Sequence, residues 1–224
     1  MAWSQLPKTV ELNLPTPKPH PFTLKPDKTA LVIVDMQKRI CERPESRAYA
    51  VIEGNVRLLN MARRAGVKII FIQSVRPIDS LEFTAFGVEP RLIEGTTETD
   101  IIDELAPLPG EHVVKKYSHD PFARTKLDEL LIDEKILPTD TTIIVTGVSA
   151  AVCAYSACLG FSCRHYMTLI PMDCQAAGTI EEEARAYNKL TENTYAFTLS
   201  TMIEFSPSGM VTRDIVDVLE YARN

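Results

Sequence analysis

Six short runs rich in aliphatic and β-branched residues recur along this chain, and most of the intervals between them leave room for a helix. The runs are ALVIVD (30–35), VKIIFIQS (67–74), HVVKK (112–116), TTIIVTG (141–147), HYMTLIPMD (165–173) and TYAFTLS (194–200). Between them, apolar residues fall at helical spacing in AYAVIEGNVRLLNMARRAG (48–66), which closes on a glycine stop at Gly66. The same spacing predicts helices in ETDIIDELA (98–106), RTKLDELLIDEKI (124–136), AAVCAYSACLG (150–160) and IEEEARAYNKLTEN (180–193). Strands that are apolar throughout are buried on both faces, and helices between them supply the crossovers that parallel strands need. The predicted fold class is therefore α/β: three α/β/α layers around a mostly parallel central sheet, Rossmann-like.

The first segment interrupts this rhythm. Pro7, Pro15, Pro17, Pro19, Pro21 and Pro26 set a density that breaks helices. Residues 1–26 are therefore expected to form an extended proline-rich arm, packed on the body or on a neighbouring subunit. Residues 27–224 are expected to form one domain, since a chain of 224 residues with 45% hydrophobic content is long enough for one sizeable core. The stretch 75–97 is polar and contains prolines; an irregular loop of that length points to a functional role.

Charge and cysteine usage narrow the functional classes. A formal charge of −6 disfavours a broad phosphate-binding surface, so no nucleic-acid partner is expected. No apolar run reaches the roughly 18 residues of a spanning helix. The first segment lacks the basic start and apolar core of a signal peptide, and five cysteines, an odd number, suit reduced thiols. The expectation is a cytoplasmic protein without a membrane association.

Ligands of open parallel sheets bind beyond the carboxyl ends of the strands, near the point where the strand order reverses. Three reactive side chains follow strands in this sequence. Asp35 ends ALVIVD, Lys116 ends HVVKK, and Cys153 falls in the first turn of the helix after TTIIVTG. Each has an ordinary structural use: Asp caps turns, Lys is solvated and Cys packs as a small hydrophobe. Their conjunction at one rim suggests chemistry. A helix N-terminus and a nearby ammonium both favour a thiolate, and a carboxylate can take the thiol proton and deliver it to a leaving group.

The segments TALVIVDMQKRI, LIEGTTETDIIDELAP, VVKKYSHDPFARTKLDELL and IIVTGVSAAVCAYSACLGF resemble the isochorismatase-like cysteine hydrolases. That family includes nicotinamidases, N-carbamoylsarcosine amidohydrolases, and biuret and ureidoacrylate hydrolases. The resemblance runs from about residue 29 to about residue 179 and implies the isochorismatase fold. It also implies a catalytic set of Asp35, Lys116 and Cys153, with Lys116 six residues before Phe122. The family's non-proline cis peptide falls on Val148 and Ser149, so that the amides of Ser149 and Cys153 form the oxyanion hole.

The function so implied is hydrolysis of a C–N bond in a small amide, carbamoyl or ureido compound through a thioester. In that scheme Asp35 deprotonates Cys153, Lys116 holds the charge of both, and Asp35 later activates the water. The implied assembly is a homo-oligomer, dimer or tetramer. Alternatives are vinyl-ether hydrolysis of the isochorismatase type, which needs no nucleophile, and a non-catalytic oligomeric scaffold. This chain departs from the family pattern at DPF (120–122) and at Ala154.

The loop after the second strand, SVRPIDSLEFTAFG, has no histidine, so no metal and no cofactor are expected. Of the four histidines only His119 stands near a reactive position; His20, His112 and His165 lie in the arm or on strands. Gln37, Arg76, Phe86 and Tyr117 are candidate substrate-binding residues by loop position, and the Arg76 guanidinium suits a carboxylate or a carbamoyl oxygen. Cys41, Cys158, Cys163 and Cys174 are expected to be structural.

Overall fold

The computed structural model describes residues 17–190 and 195–223. Its main sheet has seven strands, all parallel: β2 (Thr29–Val34), β3 (Lys68–Ser74), β4 (His112–Lys116), β5 (Thr142–Val148), β6 (Met167–Pro171), β7 (Gln175–Ala176) and β8 (Tyr195–Thr198). They run in the order β4-β3-β2-β5-β6-β8, with β7 paired to the end of β5. A second, two-stranded parallel sheet joins β1 (Phe22–Leu24) to β9 (Ile203–Phe205).

Alternation along the central strands explains the layering. In β2, Leu31 and Ile33 face one core with Leu58, Leu59 and Ala62 of the helix α3 (Ile52–Ala65). Ala30, Val32 and Val34 face a second core with Ala154, Ala157, Cys158 and Phe161 of the helix α6 (Cys153–Ser162). Leu127 and Leu131 of α5 (Leu127–Asp133) join that second core. A strand with apolar side chains on both faces leaves neither face for water, which selects parallel strands under helical layers. The predicted three-layer α/β/α fold is the one observed.

The sheet reverses its order between β2 and β5: β3 and β4 build outward on one side, and β6 and β8 on the other. The two strands meet closely there. Gly147 has φ 97°, and a Cβ on it would lie 2.0 Å from the Val34 carbonyl oxygen. Asp35 leaves β2 in the left-handed region at φ 53°. That turn is costly for a non-glycine residue, by about 1–3 kcal/mol, and it redirects the carboxylate at the strand end.

Several local expectations are corrected. The helix expected over 48–66 breaks at Val51 into α2 (Arg47–Ala50) and α3, which ends on Gly66 with φ 74°. ETDIIDELA forms two 3-10 turns, Thr97–Thr99 and Asp103–Leu105. Its backbone is drawn out of a helix by bonds to the loop after β2, Ile102 N to Met36 O and Lys38 N to Asp100 O. Gly160 does not stop α6. A Cβ there would meet the Phe122 ring at 2.5 Å, so the glycine lets that ring close on the helix.

TYAFTLS is not the last strand, because β9 and the helix α8 (Thr212–Arg223) follow. The loop 75–97 carries one helical turn, α4 (Leu81–Thr84), and closes on itself where Arg76 bridges Ile93. Residues 1–16 of the proline-rich arm lie outside the described residues. Its end is packed, since Phe22 and Leu24 are buried in the first core. No described helix is long and apolar enough to cross a membrane.

The β2–β5 contact generates a stability test. Gly147→Ala should lose about 3 kcal/mol in denaturant unfolding, because backbone strain and a clash with Val34 add. Gly66→Ala, with positive φ but nothing within 4 Å, should lose only about 1 kcal/mol. Equal losses would mean that the close approach of Gly147 to Val34 carries no weight.

Candidate active site

The carboxyl ends of β2, β3, β4 and β5 deliver four side chains to one point. Lys116, the last residue of β4, is wholly buried, and its Nζ lies 2.9 Å from Asp35 Oδ2. The same ammonium is 3.4 Å from Cys153 Sγ, and donates to Ser74 Oγ at 3.2 Å and to the Ser118 carbonyl at 3.1 Å. Asp35 is 2% exposed and Cys153 9%. The three sequence-predicted reactive residues are therefore in mutual reach, through Lys116.

Ser74 at the end of β3 is a member of this cluster that sequence reasoning missed. A serine closing an apolar strand gives no signal of its own until the register of β3 and β4 sets it opposite Lys116.

The turn after β5 shapes the other side of the site. The peptide between Val148 and Ser149 is cis. The amides of Ala150, Val152 and Ala154 bond to Ala176 O, Ser149 O and Ser149 O, while in this turn no described backbone acceptor takes the amides of Ser149 or Cys153. Cys153 opens α6, where the helix dipole and the unpaired first-turn donors favour negative charge.

A cleft of about 410 Å³ opens over the thiol, and four arginines line it: Arg39, Arg43, Arg76 and Arg91. Arg76 is held by Glu82 at 2.8 Å and donates to Ser74 Oγ at 3.2 Å. Of the four candidate substrate-binding residues only Arg76 lines this cleft. Gln37 is fully buried and its amide is committed: Nε2 donates to Ser74 O and Thr99 O, and Oε1 accepts from Ser74 N. It clamps the loop after β2 to the end of β3. Phe86 and Tyr117, 74% and 45% exposed, lie outside the cleft lining. Phe86 stands on the long loop, and Tyr117 takes the face opposite Lys116.

The electrostatics correct a second expectation. Burial pushes the Cys153 thiol up to about 12, and the Asp35 carboxylate adds to this, while Lys116 opposes it. Burial likewise raises the Asp35 carboxyl above the usual range, against the pull of Lys116. The ammonium is closer to Asp35 than to sulfur, so its charge is shared and the resting sulfur is a thiol. Asp35 Oδ1 is buried without a hydrogen-bond partner.

Cys158 and Cys41 are also pushed up to about 12, chiefly by burial. Cys163, expected to be structural, is exposed at the C-terminal cap of α6.

Opposite shifts should follow from the two partners of the thiol. Asp35→Asn removes a charge that raises the Cys153 pKa, so iodoacetamide alkylation of Cys153 should begin at lower pH. Lys116→Ala removes the charge that lowers it, and alkylation should begin at higher pH. The check is the pH dependence of the Cys153 labelling rate by peptide mass spectrometry; profiles that move together, or not at all, contradict the assignment of charges.

The isochorismatase domain model matches residues 29–202 of the chain. A ureidoacrylate amidohydrolase RutB of Pantoea ananatis is 27% identical over 76% of this chain and 79% of that protein. One of Agrobacterium fabrum is 29% identical over 65% and 74%. An isochorismatase-like hydrolase structure from Alkaliphilus metalliredigens has a TM-score of 0.69 at 25% identity, covering 78% of this chain and 96% of that one. The N-carbamoylsarcosine amidase from Thermoplasma acidophilum has a TM-score of 0.65 at 23% identity, covering 77% and 96%.

The pyrazinamidase of Pyrococcus horikoshii, solved in complex with zinc, has a TM-score of 0.67 at 17% identity, covering 77% and 99%. The residues here do not suit such an ion. The cleft offers Asp35, whose Oδ2 is held by Lys116, Glu82, which is paired with Arg76, Cys153 and His119, and no group of three His, Cys, Asp or Glu side chains among the described residues could hold a metal. A domain match over residues 29–202, most of its length, makes this chain a member of the isochorismatase family.

Proposed function

We propose that this protein hydrolyses a C–N bond in a small amide, carbamoyl or ureido compound through a thioester on Cys153. One observation carries the reading: a buried thiol, carboxylate and ammonium meet at the floor of a cleft, with Lys116 Nζ 2.9 Å from Asp35 and 3.4 Å from Cys153. The kinship with ureidoacrylate amidohydrolases supports it.

In the forward step the Cys153 proton passes to Asp35 Oδ1 as Sγ attacks the carbonyl carbon. Coupling the two movements avoids a free thiolate, which the high pKa of this thiol makes costly. The oxyanion that forms accepts hydrogen bonds from the amides of Ser149 and Cys153. Such donors act only as charge develops, and loss of one typically lowers the rate by about 10²–10³. Asp35 then delivers its proton to the nitrogen as the C–N bond breaks, and Lys116 offsets the carboxylate so restored. Water opens the thioester and releases the acid.

The four arginines favour a substrate that carries a carboxylate. Arg76 is pre-oriented by Glu82, Ser74 and the Val75 carbonyl through Nε and Nη1, which leaves Nη2 to donate to a carboxylate. Vinyl-ether hydrolysis requires protonation of carbon and no nucleophile, so the position of Cys153 favours the amidohydrolase. A scaffold without catalysis has no use for a buried charge pair beside a thiol.

Ammonia release from ureidoacrylate, biuret, N-carbamoyl amino acids and nicotinamide tests the proposal. Cys153→Ala should lower turnover of any accepted substrate by about 10³-fold or more, and Cys158→Ala should retain it. Wild-type turnover by Cys153→Ala would refute the thioester. Prolonged chelation should leave the rate unchanged; an activity lost to EDTA and restored by zinc would require a metal in the reaction.

A further inference from the structure

The loop after β4 presents a side chain that the mechanism above leaves unused. His119 Nδ1 lies 3.5 Å from Cys153 Sγ, against 3.4 Å for Lys116 Nζ. The backbone on both sides of it is fixed. The Ser118 carbonyl accepts from Lys116 Nζ, Ser118 Oγ donates to Asp120 O, and Asp120 Oδ1 accepts from Phe122 N at 2.9 Å. Phe122 is itself buried against α6. An imidazole carried on so anchored a turn is held over the sulfur.

Exposure ranks three groups from the floor of the cleft to its mouth: Asp35 at 2%, Cys153 at 9%, and His119 exposed. An acyl group on Sγ rises from the middle of this series. The water that opens the thioester comes from the mouth, where His119 lies and Asp35 does not. Neutral imidazole offers one acceptor nitrogen.

We propose that His119 is the catalytic base of the second half-reaction. Resting on the thioester reading, the step is balanced within the site. Water gives one proton to Nδ1 as its oxygen bonds to the thioester carbon; the C–S bond breaks, and sulfur leaves toward Lys116 with the electron pair. The sulfur then takes the proton back from Nδ1, 3.5 Å away, and the thiol and neutral imidazole are restored. Asp35 serves the first half-reaction, and His119 takes over the activation of water that the family resemblance assigns to Asp35.

p-Nitrophenyl acetate separates the two halves, because p-nitrophenolate leaves without needing a proton and an acetyl thioester remains on Cys153. Wild-type protein should release about one equivalent of p-nitrophenolate in a burst and then turn over steadily. His119→Gln should keep the burst, accumulate acetyl-Cys153 by mass spectrometry and lose roughly 10²-fold in the steady rate. Added imidazole should restore part of the rate of His119→Ala, which a packing role would not allow.

A burst with an unchanged steady rate in His119→Gln, or a loss that imidazole does not rescue, overturns the role of His119 alone. A wild-type protein without a burst, behaving like Cys153→Ala, overturns the thioester and His119 together.

Discussion

The buried ion pair between Lys116 and Asp35 is the interaction on which the rest of the site depends. Both groups are taken out of water, a transfer that costs several kcal/mol per ion unless each finds a partner. Here the ammonium finds the carboxylate at 2.9 Å, together with Ser74, Ser118 and the Cys153 sulfur. Removing one partner of such a pair typically costs about 3–5 kcal/mol, because the other is left charged and unpaired. The pair therefore fixes the relative positions of the ends of β2, β3 and β4, and through Ser118 it anchors the loop that carries His119.

Strand register decides which atoms meet. Ser74 stands opposite Lys116 in the β3–β4 pair, and Val34 opposite Ile72 in the β2–β3 pair. Side chains alternate faces along a strand, so Lys116 shares the face of Val114, which belongs to the core under α6. Lys115 points to the other face and pairs with Glu94 at 2.9 Å in solvent. A slip of one residue would exchange the two lysines, burying a charge without its carboxylate. The apolar stretches that hold the register thus also select the ammonium that reaches the thiol.

The same burial that makes the pair strong shapes the chemistry of the sulfur. In an open, cationic setting a thiol at a helix N-terminus is driven toward thiolate. Here desolvation and the neighbouring carboxylate outweigh Lys116, and the thiol is held up at about 12. In the proposed reaction, reactivity comes from proton transfer in the attack itself, which needs a base with a free lone pair within reach. Asp35 Oδ1, buried and without a partner, has that property. The cost of burying an unsatisfied oxygen, about 1–3 kcal/mol, is set against a function it can perform.

Much of this was legible from the residues in order. Short runs such as ALVIVD and TTIIVTG are apolar on both parities, and that pattern has few solutions other than a covered parallel sheet. The rule that sites lie at strand ends then singled out Asp35, Lys116 and Cys153. Other features had no local signal. ETDIIDELA has helical spacing, yet its backbone bonds to the loop at 36–38, a partner some sixty residues away. Gln37 follows a reactive residue and looks like a pocket group, but its amide is consumed by β3 and Thr99. Phe86 and Tyr117 were placed by loop position alone, which carries no direction.

His119 was one histidine near one lysine until a folded loop set its nitrogen beside the sulfur. Periodicity and residue type act over a few neighbours, so the sequence by itself determined the layers, the strand ends and the reactive types. Distances, pKa values and the lining of the cleft are sums over residues far apart in the chain, and only the tertiary structure decided those.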